Sequence, residues 1–152
     1  MTFKKIILFI FCFLTLNQVS FSQKTLAYKI DSVCTAIDTI SINFKKVRIK
    51  GLGRQGLNSI TLYYIDTLNR TSRKVLYQQM SDKIIYTYYF KDREFIKLEL
   101  SKKIKTTIKI LSTYYFQKGK VVFKLDQQQL IKRAKPYIDN AKEYLEDPVI
   151  IH

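Results

Sequence analysis

Thr61-Leu62-Tyr63-Tyr64, Thr87-Tyr88-Tyr89-Phe90 and Thr113-Tyr114-Tyr115-Phe116 stand 26 residues apart, twice over. Each is a run of β-forming residues followed by a polar break. After each break comes a second apolar run: Val75-Leu76-Tyr77, Phe95-Ile96-Lys97-Leu98 and Val121-Val122-Phe123-Lys124-Leu125. The pattern predicts three consecutive hairpins of one repeating unit, and so an antiparallel sheet. The second turn is Lys91-Asp92-Arg93-Glu94. The third is Gln117-Lys118-Gly119-Lys120, where Gly119 suits the positive φ of a tight turn. The first connection, Asp66 to Ser72, is longer and polar throughout except for Leu68.

The repeat also assigns faces, because side chains alternate along a strand. Leu62 and Tyr64, Tyr88 and Phe90, Tyr114 and Phe116 fall on one side, and Ile84, Tyr86, Ile108 and Ile110 continue it. That side is expected to be the core. The other side carries Tyr63, Tyr89 and Tyr115 with threonines, and Lys97, Lys109 and Lys124 nearby. It is expected to face solvent, as one side of an antiparallel sheet commonly does.

Outward from the hairpins, Phe44 to Lys50 alternates apolar and basic residues as a half-buried strand does. Gly51-Leu52-Gly53-Arg54-Gln55-Gly56 matches G-x-G-x-x-G and holds three of the four glycines. A dinucleotide fingerprint needs a helix opening at its end, and a strand pattern follows instead. The stretch reads as a loop between strands. Residues 24–40 are expected to form a helix, with Ile30, Val33, Cys34 and Ile37 as its apolar stripe. A closing helix is expected from about Gln127 to Glu146, N-capped by Asp126 and kinked or split near Lys135 by Pro136. The fold class is α+β: an antiparallel sheet of about seven strands, with the N-terminal and C-terminal helices together on one face.

The first residues have the grammar of a secretory leader. Lys4 and Lys5 precede an apolar stretch from Ile6 to Leu16, and Ser20-Phe21-Ser22 places small residues where a signal peptidase reads them. Cleavage is expected after Ser22, leaving residues 23–152 as one α+β domain in the periplasm or outside the cell. Cys12 follows Phe11 and sits within the apolar stretch, which disfavours a lipoprotein anchor there. Lys4 and Lys5 are the only charged residues before Gln23, so the remainder carries +13 of the formal +15. Lysine outnumbers arginine 21 to 6, a bias that an AT-rich genome also produces, so part of this charge is compositional. Its physical consequence is attraction to polyanions. One cysteine, Cys34, follows the cleavage point and has no intramolecular disulfide partner after it. It reads first as a small buried hydrophobe and second as an intermolecular or reactive thiol.

Little catalytic chemistry is legible. The only histidine is His152, the last residue, which removes histidine-based triads, Cys-His pairs and zinc motifs. No cofactor is expected, and the enzyme reading is set aside in favour of binding. The candidate binding face is Tyr63, Tyr89, Tyr115, Lys97, Lys109 and Lys124: flat aromatics on every second strand, about 9.6 Å apart, among lysines that suit anionic glycans or other polyanions. An envelope protein is the other partner class, and the two open edges of the sheet allow pairing into a homodimer. The chain after cleavage is not expected to be an integral membrane protein.

The units Tyr88-Tyr89-Phe90-Lys91-Asp92-Arg93-Glu94 and Tyr114-Tyr115-Phe116-Gln117-Lys118-Gly119-Lys120 resemble the YYF-x-x-G-K hairpins of small uncharacterised secreted proteins of Gram-negative bacteria. The resemblance implies the order leader, helix, hairpins, closing helix. It implies no activity and no site residue. The functional expectation is an exported, non-catalytic binding module of the cell envelope. The alternative is an envelope enzyme or enzyme inhibitor acting through the open sheet face or the Gly51–Gly56 loop.

Overall fold

The computed structural model describes residues 3–52, 58–69, 71–79, 81, 83–126 and 135–146, with side chains from Ser22 to Leu145 within those ranges. The order is α1 (Phe3–Ile40), a short 3-10 turn (Ser41–Asn43), β1 (Lys45–Leu52), β2 (Asn58–Asp66), β3 (Thr71–Gln79), β4 (Ile84–Lys91), β5 (Glu94–Ile104), β6 (Thr107–Gln117), β7 (Lys120–Asp126) and α2 (Lys135–Glu146). The class is α+β. The seven strands form one open antiparallel sheet in sequence order, so every strand pairs with its chain neighbours. Among the described residues no helix is long and apolar enough to cross a membrane.

The first helix begins at Phe3, well before the expected residue 24, and ends at the expected Ile40. Of the expected stripe, Ile30, Cys34 and Ile37 are buried and Val33 is half-buried beside them, and Ala27 extends it by one turn. The β-branched run Thr39-Ile40-Ser41-Ile42 ends it. Thr39 Oγ1 donates to the Thr35 carbonyl (2.9 Å) and Ser41 Oγ to the Asp38 carbonyl (2.7 Å), satisfying acceptors of the last turns. Phe44 is then extended, at φ −80° and ψ 145°, and leads into β1.

The two helices lie on opposite faces of the sheet, not together on one. Ala27, Ile30, Cys34 and Ile37 of α1 pack with Tyr89, Ile96 and Tyr115. Ala141 of α2, with Tyr137, Ile138, Tyr144 and Leu145, packs with Tyr63, Val75, Tyr88, Phe90, Leu98, Tyr114 and Phe116. The reason lies in the Tyr-Tyr-Phe runs. Successive residues point to opposite faces, and all three are large and ring-bearing, so both faces need cover. Ala141 is fully buried in this contact. Tyr137 stacks on Tyr86 (ring centroids 5.9 Å apart), and Tyr144 meets Tyr63 (5.9 Å) and Tyr88 (5.1 Å) edge-on.

Bulges decide which residue points where. Tyr64 pairs with Lys74 but Ile65 with Ser72, Tyr89 with Lys97 but Phe90 with Phe95, and Tyr115 with Phe123 but Phe116 with Val121. In each hairpin the second strand carries one extra residue: Arg73, Ile96 or Val122. Ile96 and Lys97 therefore share the α1 face, as do Val122 and Phe123. The equivalent triplets are Tyr63-Tyr64-Ile65, Tyr88-Tyr89-Phe90 and Tyr114-Tyr115-Phe116, spaced 25 and then 26 residues. The equal 26-residue spacing misplaces the first triplet by one, and a shift of one residue reverses the face of every side chain. Tyr63 consequently belongs to the α2 face, while Tyr89 and Tyr115 belong to the α1 face. A further extra residue, Leu111 in β6, reverses the parity again beyond Ser112, so Ile108 and Ile110 leave the core face and are exposed.

At the other end of the sheet, Asp126 is the last residue of β7. It accepts hydrogen bonds from Ser112 Oγ (2.7 Å) and from the Tyr114 hydroxyl. Residues 127–134 of the expected closing helix lie outside the described residues. Pro136 is the second residue of α2 (Lys135–Glu146), and the stretch before it, on which the expected kink or split depends, is among those outside the described residues.

The β4–β5 and β6–β7 loops have two residues each, with φ 50° and 61° at Asp92 and Arg93, and 50° and 71° at Lys118 and Gly119. Positive φ at both central residues is the type I′ geometry that matches strand twist. Arg93 holds the conformation that glycine holds in the next hairpin. Relief of left-handed strain outweighs the added freedom of the unfolded chain, so Arg93→Gly is expected to raise stability by about 0.5–1 kcal/mol. Urea denaturation checks this through a higher midpoint at unchanged slope.

Candidate functional site

One row of directly opposed residues crosses all seven strands on the α1 face: Lys46, Tyr64, Lys74, Tyr89, Lys97, Tyr115 and Phe123. Lysine and tyrosine alternate across it. Lys46 Nζ stands 5.7 Å from the Tyr64 ring centre. Lys74 Nζ is 5.5 Å from Tyr64 and 5.3 Å from Tyr89. Lys97 Nζ is 5.6 Å from both Tyr89 and Tyr115. Each ammonium thus faces aromatic rings, a favourable electrostatic arrangement.

The first helix lies across this row and is fixed to it twice in the same way. Asp38 Oδ1 meets Lys74 Nζ at 2.7 Å, and its Oδ2 accepts from the Tyr89 hydroxyl at 3.0 Å. Asp31 Oδ1 meets Lys97 Nζ at 2.6 Å, and its Oδ2 accepts from the Tyr115 hydroxyl at 2.8 Å. Seven helical residues rise about 10.5 Å, and Lys74 and Lys97, two strands apart, are separated by about 9.6 Å. The two repeats match, so each aspartate finds one lysine and one tyrosine. Glu99 completes the site: its Oε1 lies 2.6 Å from Lys97 Nζ, and its Oε2 accepts from Tyr89 at 3.5 Å.

A cleft of about 390 Å³ remains between helix and sheet, lined by Asp31, Asp38, Glu99, Lys97, Tyr89 and Tyr115, with Cys34, Thr35, Ile110 and Thr113 completing its walls. Its electrostatics are internally balanced. Burial acts to lower the Lys97 pKa, but the hydrogen bonds to Asp31 and Glu99 outweigh it and hold the ammonium above its ordinary value of 10.5. Burial pushes the Cys34 thiol up from 9.0 to about 12. Burial, reinforced by the neighbouring carboxylates, also raises Tyr89 and Tyr115 above the usual phenol value of 10.0. Near neutral pH the lysine is therefore a fixed cation and the thiol is protonated, so neither serves as nucleophile or base. What the cleft offers is hydrogen-bond acceptors around a paired ammonium. Among the described residues no three of His, Cys, Asp and Glu stand together to hold a metal ion.

The structure disperses the candidate binding face. Tyr63, Tyr89 and Tyr115 are 6%, 3% and 3% exposed, so none is a solvent-facing stacking platform. Tyr63 lies under α2 because of the register, and Tyr89 and Tyr115 lie under α1 because their rings need burial and their hydroxyls find aspartates. Lys97 is 7% exposed and is held by Asp31 and Glu99. Lys109 and Lys124 are exposed, but their partners Lys102 and Tyr114 place them on the α2 side, apart from Lys97. Gly51 and Leu52 end β1, and residues 53–57 of the glycine loop lie outside the described residues. A strand, β2, follows that loop. Asp31 and Asp38 escape a motif search because their partners are some 36 to 84 residues away. One signal was present: they are the first two acids of a lysine-rich chain and lie one heptad apart, bordering the apolar stripe.

Past the Lys46–Phe123 row the α1 face continues as two further rows. One runs Arg48, Leu62, Leu76, Thr87, Glu99, Thr113, Leu125, and the other Lys50, Ile60, Gln78, Ile85, Ser101, Ile110. Ile60, Leu62, Leu76 and Ile85 are half-buried and belong to neither packed cluster, and Ile110 and Leu125 are exposed.

Two outcomes test the site. Lys97→Met leaves Asp31 and Glu99 facing each other without their cation, and is expected to lower stability by about 3 kcal/mol. In urea titrations, adding Asp31→Asn should recover part of the loss. The second outcome is pH-dependent. Cys34, Tyr89, Tyr115 and Lys97 all have folded pKa values above their unfolded ones. Their contribution is complete below the unfolded values, and it is lost as pH rises because the unfolded chain releases protons first. Stability is expected to hold to about pH 9, where the thiol begins to titrate in the unfolded chain, and to fall above it. Cys34→Ala should flatten the fall between pH 9 and 12 in denaturation midpoints measured against pH.

Comparison with known proteins leaves the site to be judged on this geometry alone: no family model, no curated protein and no solved structure matches the chain.

Proposed function

We propose that the chain is an exported, non-catalytic binding module of the cell envelope, and that its partner-facing surface is the part of the α1 face that continues past the Lys46–Phe123 row. The observation that carries this reading is the pair of rows holding Ile60, Leu62, Leu76, Ile85, Ile110 and Leu125, bordered by Arg48 and Lys50. Half-buried aliphatic side chains outside any packed cluster mark a surface suited to a partner. The export half of the reading rests on the leader-like N-terminus. The three hairpins read as copies of one unit, since each places its extra residue at the same point of its second strand.

A second reading, an envelope enzyme or enzyme inhibitor, is favoured by the cleft with Asp31, Asp38 and Glu99 around Lys97. The protonated states of Lys97 and Cys34 make it the weaker of the two.

Both halves of the proposal are testable in one preparation. The protein recovered from the envelope fraction is expected to begin at Gln23 on N-terminal sequencing. In pull-downs from envelope extract at moderate salt, Leu62→Ser/Leu76→Ser should reduce partner recovery at least tenfold, while Asp31→Asn at the cleft should not. A chain that begins at Met1 and stays in the cytoplasm would sink the export reading. Recovery that depends on Asp31 and ignores Leu62 would move the function to the cleft.

A further inference from the structure

We propose that the projecting tip of the β5–β6 hairpin is a contact surface for an anionic lipid bilayer, which deepens the envelope-module reading by naming one of its partners. The hairpin outreaches both neighbours. Strand β4 begins at Ile84, opposite Lys102, so Lys103 and Ile104 have no β4 partner. Strand β7 ends at Asp126, opposite Ser112, so Thr107 to Leu111 have no β7 partner. The turn between the strands is left-handed at Lys105, with φ 56°.

The tip, Lys102 to Ile110, contains four lysines, three isoleucines and two threonines, and no acid. All nine residues are exposed, and Ile104, Ile108 and Ile110 are 48%, 61% and 55% exposed. Ile108 stands opposite Lys103, and Ile110 is next on the same face of the hairpin. Among the described residues none of the four lysines is paired with a carboxylate.

The combination selects the partner. A nucleic acid or anionic glycan would satisfy the lysines and leave the isoleucines in water. A bilayer satisfies both: headgroup phosphates meet the ammonium groups, and the isoleucines enter the boundary between headgroups and acyl chains. The β-branched Thr106, Thr107, Ile108 and Ile110 have few rotamers to lose on insertion, which lowers the entropic cost of contact.

The test is sedimentation of the full chain with vesicles of phosphatidylcholine alone and of phosphatidylcholine with phosphatidylglycerol, and the difference between the two is the readout. The N-terminus, with Lys4 and Lys5 before its apolar stretch, is the same in the parent chain and the variants, so its contribution cancels when the variants are compared with the parent. A short double-stranded DNA probe at the same salt serves as the polyanion control. Lys103→Gln/Lys109→Gln is expected to weaken binding to the anionic vesicles about 20-fold, with each lysine worth roughly fivefold near such a surface. Ile108→Ser/Ile110→Ser is expected to weaken it about tenfold, and to leave DNA binding unchanged. These positions are exposed, so both variants should keep the parent circular dichroism spectrum. Equal binding to the two vesicle types, or vesicle binding indifferent to the isoleucine changes, overturns the proposal. In the second case, lysine-dependent binding to DNA and vesicles alike would identify a polyanion surface instead. The Leu62→Ser/Leu76→Ser pull-down reports on the broader module reading independently of either result.

Discussion

The position of the first helix depends on a match between two repeats. Seven residues along an α-helix and two strands across a sheet cover nearly the same distance. Asp31 and Asp38 use that coincidence. Each drops onto one lysine and one tyrosine hydroxyl of the Lys74–Tyr89–Lys97–Tyr115 row. The apolar stripe Ala27, Ile30, Cys34 and Ile37 supplies the burial that drives docking, and it would tolerate sliding. The four polar contacts are directional, and they fix the register of helix on sheet.

Buried charge requires such an arrangement. Lys97 sits in the middle of an aromatic row, where an unpaired ammonium would be strongly unfavourable. It is kept ionised by two carboxylates, one from the helix and one from its own strand. Burial, reinforced by these carboxylates and by Asp38, keeps Tyr89 and Tyr115 as phenols. The charged groups of the cleft are therefore engaged with one another, whereas the exposed aliphatic side chains Ile104, Ile108, Ile110 and Leu125 lie on the β5–β6 tip and the outer rows of the α1 face.

The other face obeys simpler rules. Its core mixes aliphatic side chains with many rings, and Tyr137 and Tyr144 of α2 meet Tyr86, Tyr88 and Tyr63. At its edge Asp126 gathers Ser112 and Tyr114. The two faces divide the tyrosines between them. On one, hydroxyls are anchored by aspartates of a covering helix. On the other, rings pack mainly on rings.

Much of the architecture was legible in the residues themselves. Period-two alternation and polar breaks identify the strands and their antiparallel order, and the stripe from Ile30 to Ile37 identifies the docked part of the first helix and its end at Ile40. These signals are local, set by the geometry of each element alone. Three matters were decided only in the folded chain. The extra residues Arg73, Ile96, Val122 and Leu111 shift register by one, and a bulge has no signature in composition. The assignment of one helix to each face follows from two apolar sheet surfaces competing for cover, which is a property of the whole sheet. The pairing of Asp31 with Lys97 and Tyr115 joins residues that only the strand order brings together. Alternation along a strand is written in the chain; which side of the finished sheet a residue reaches depends on every register shift before it.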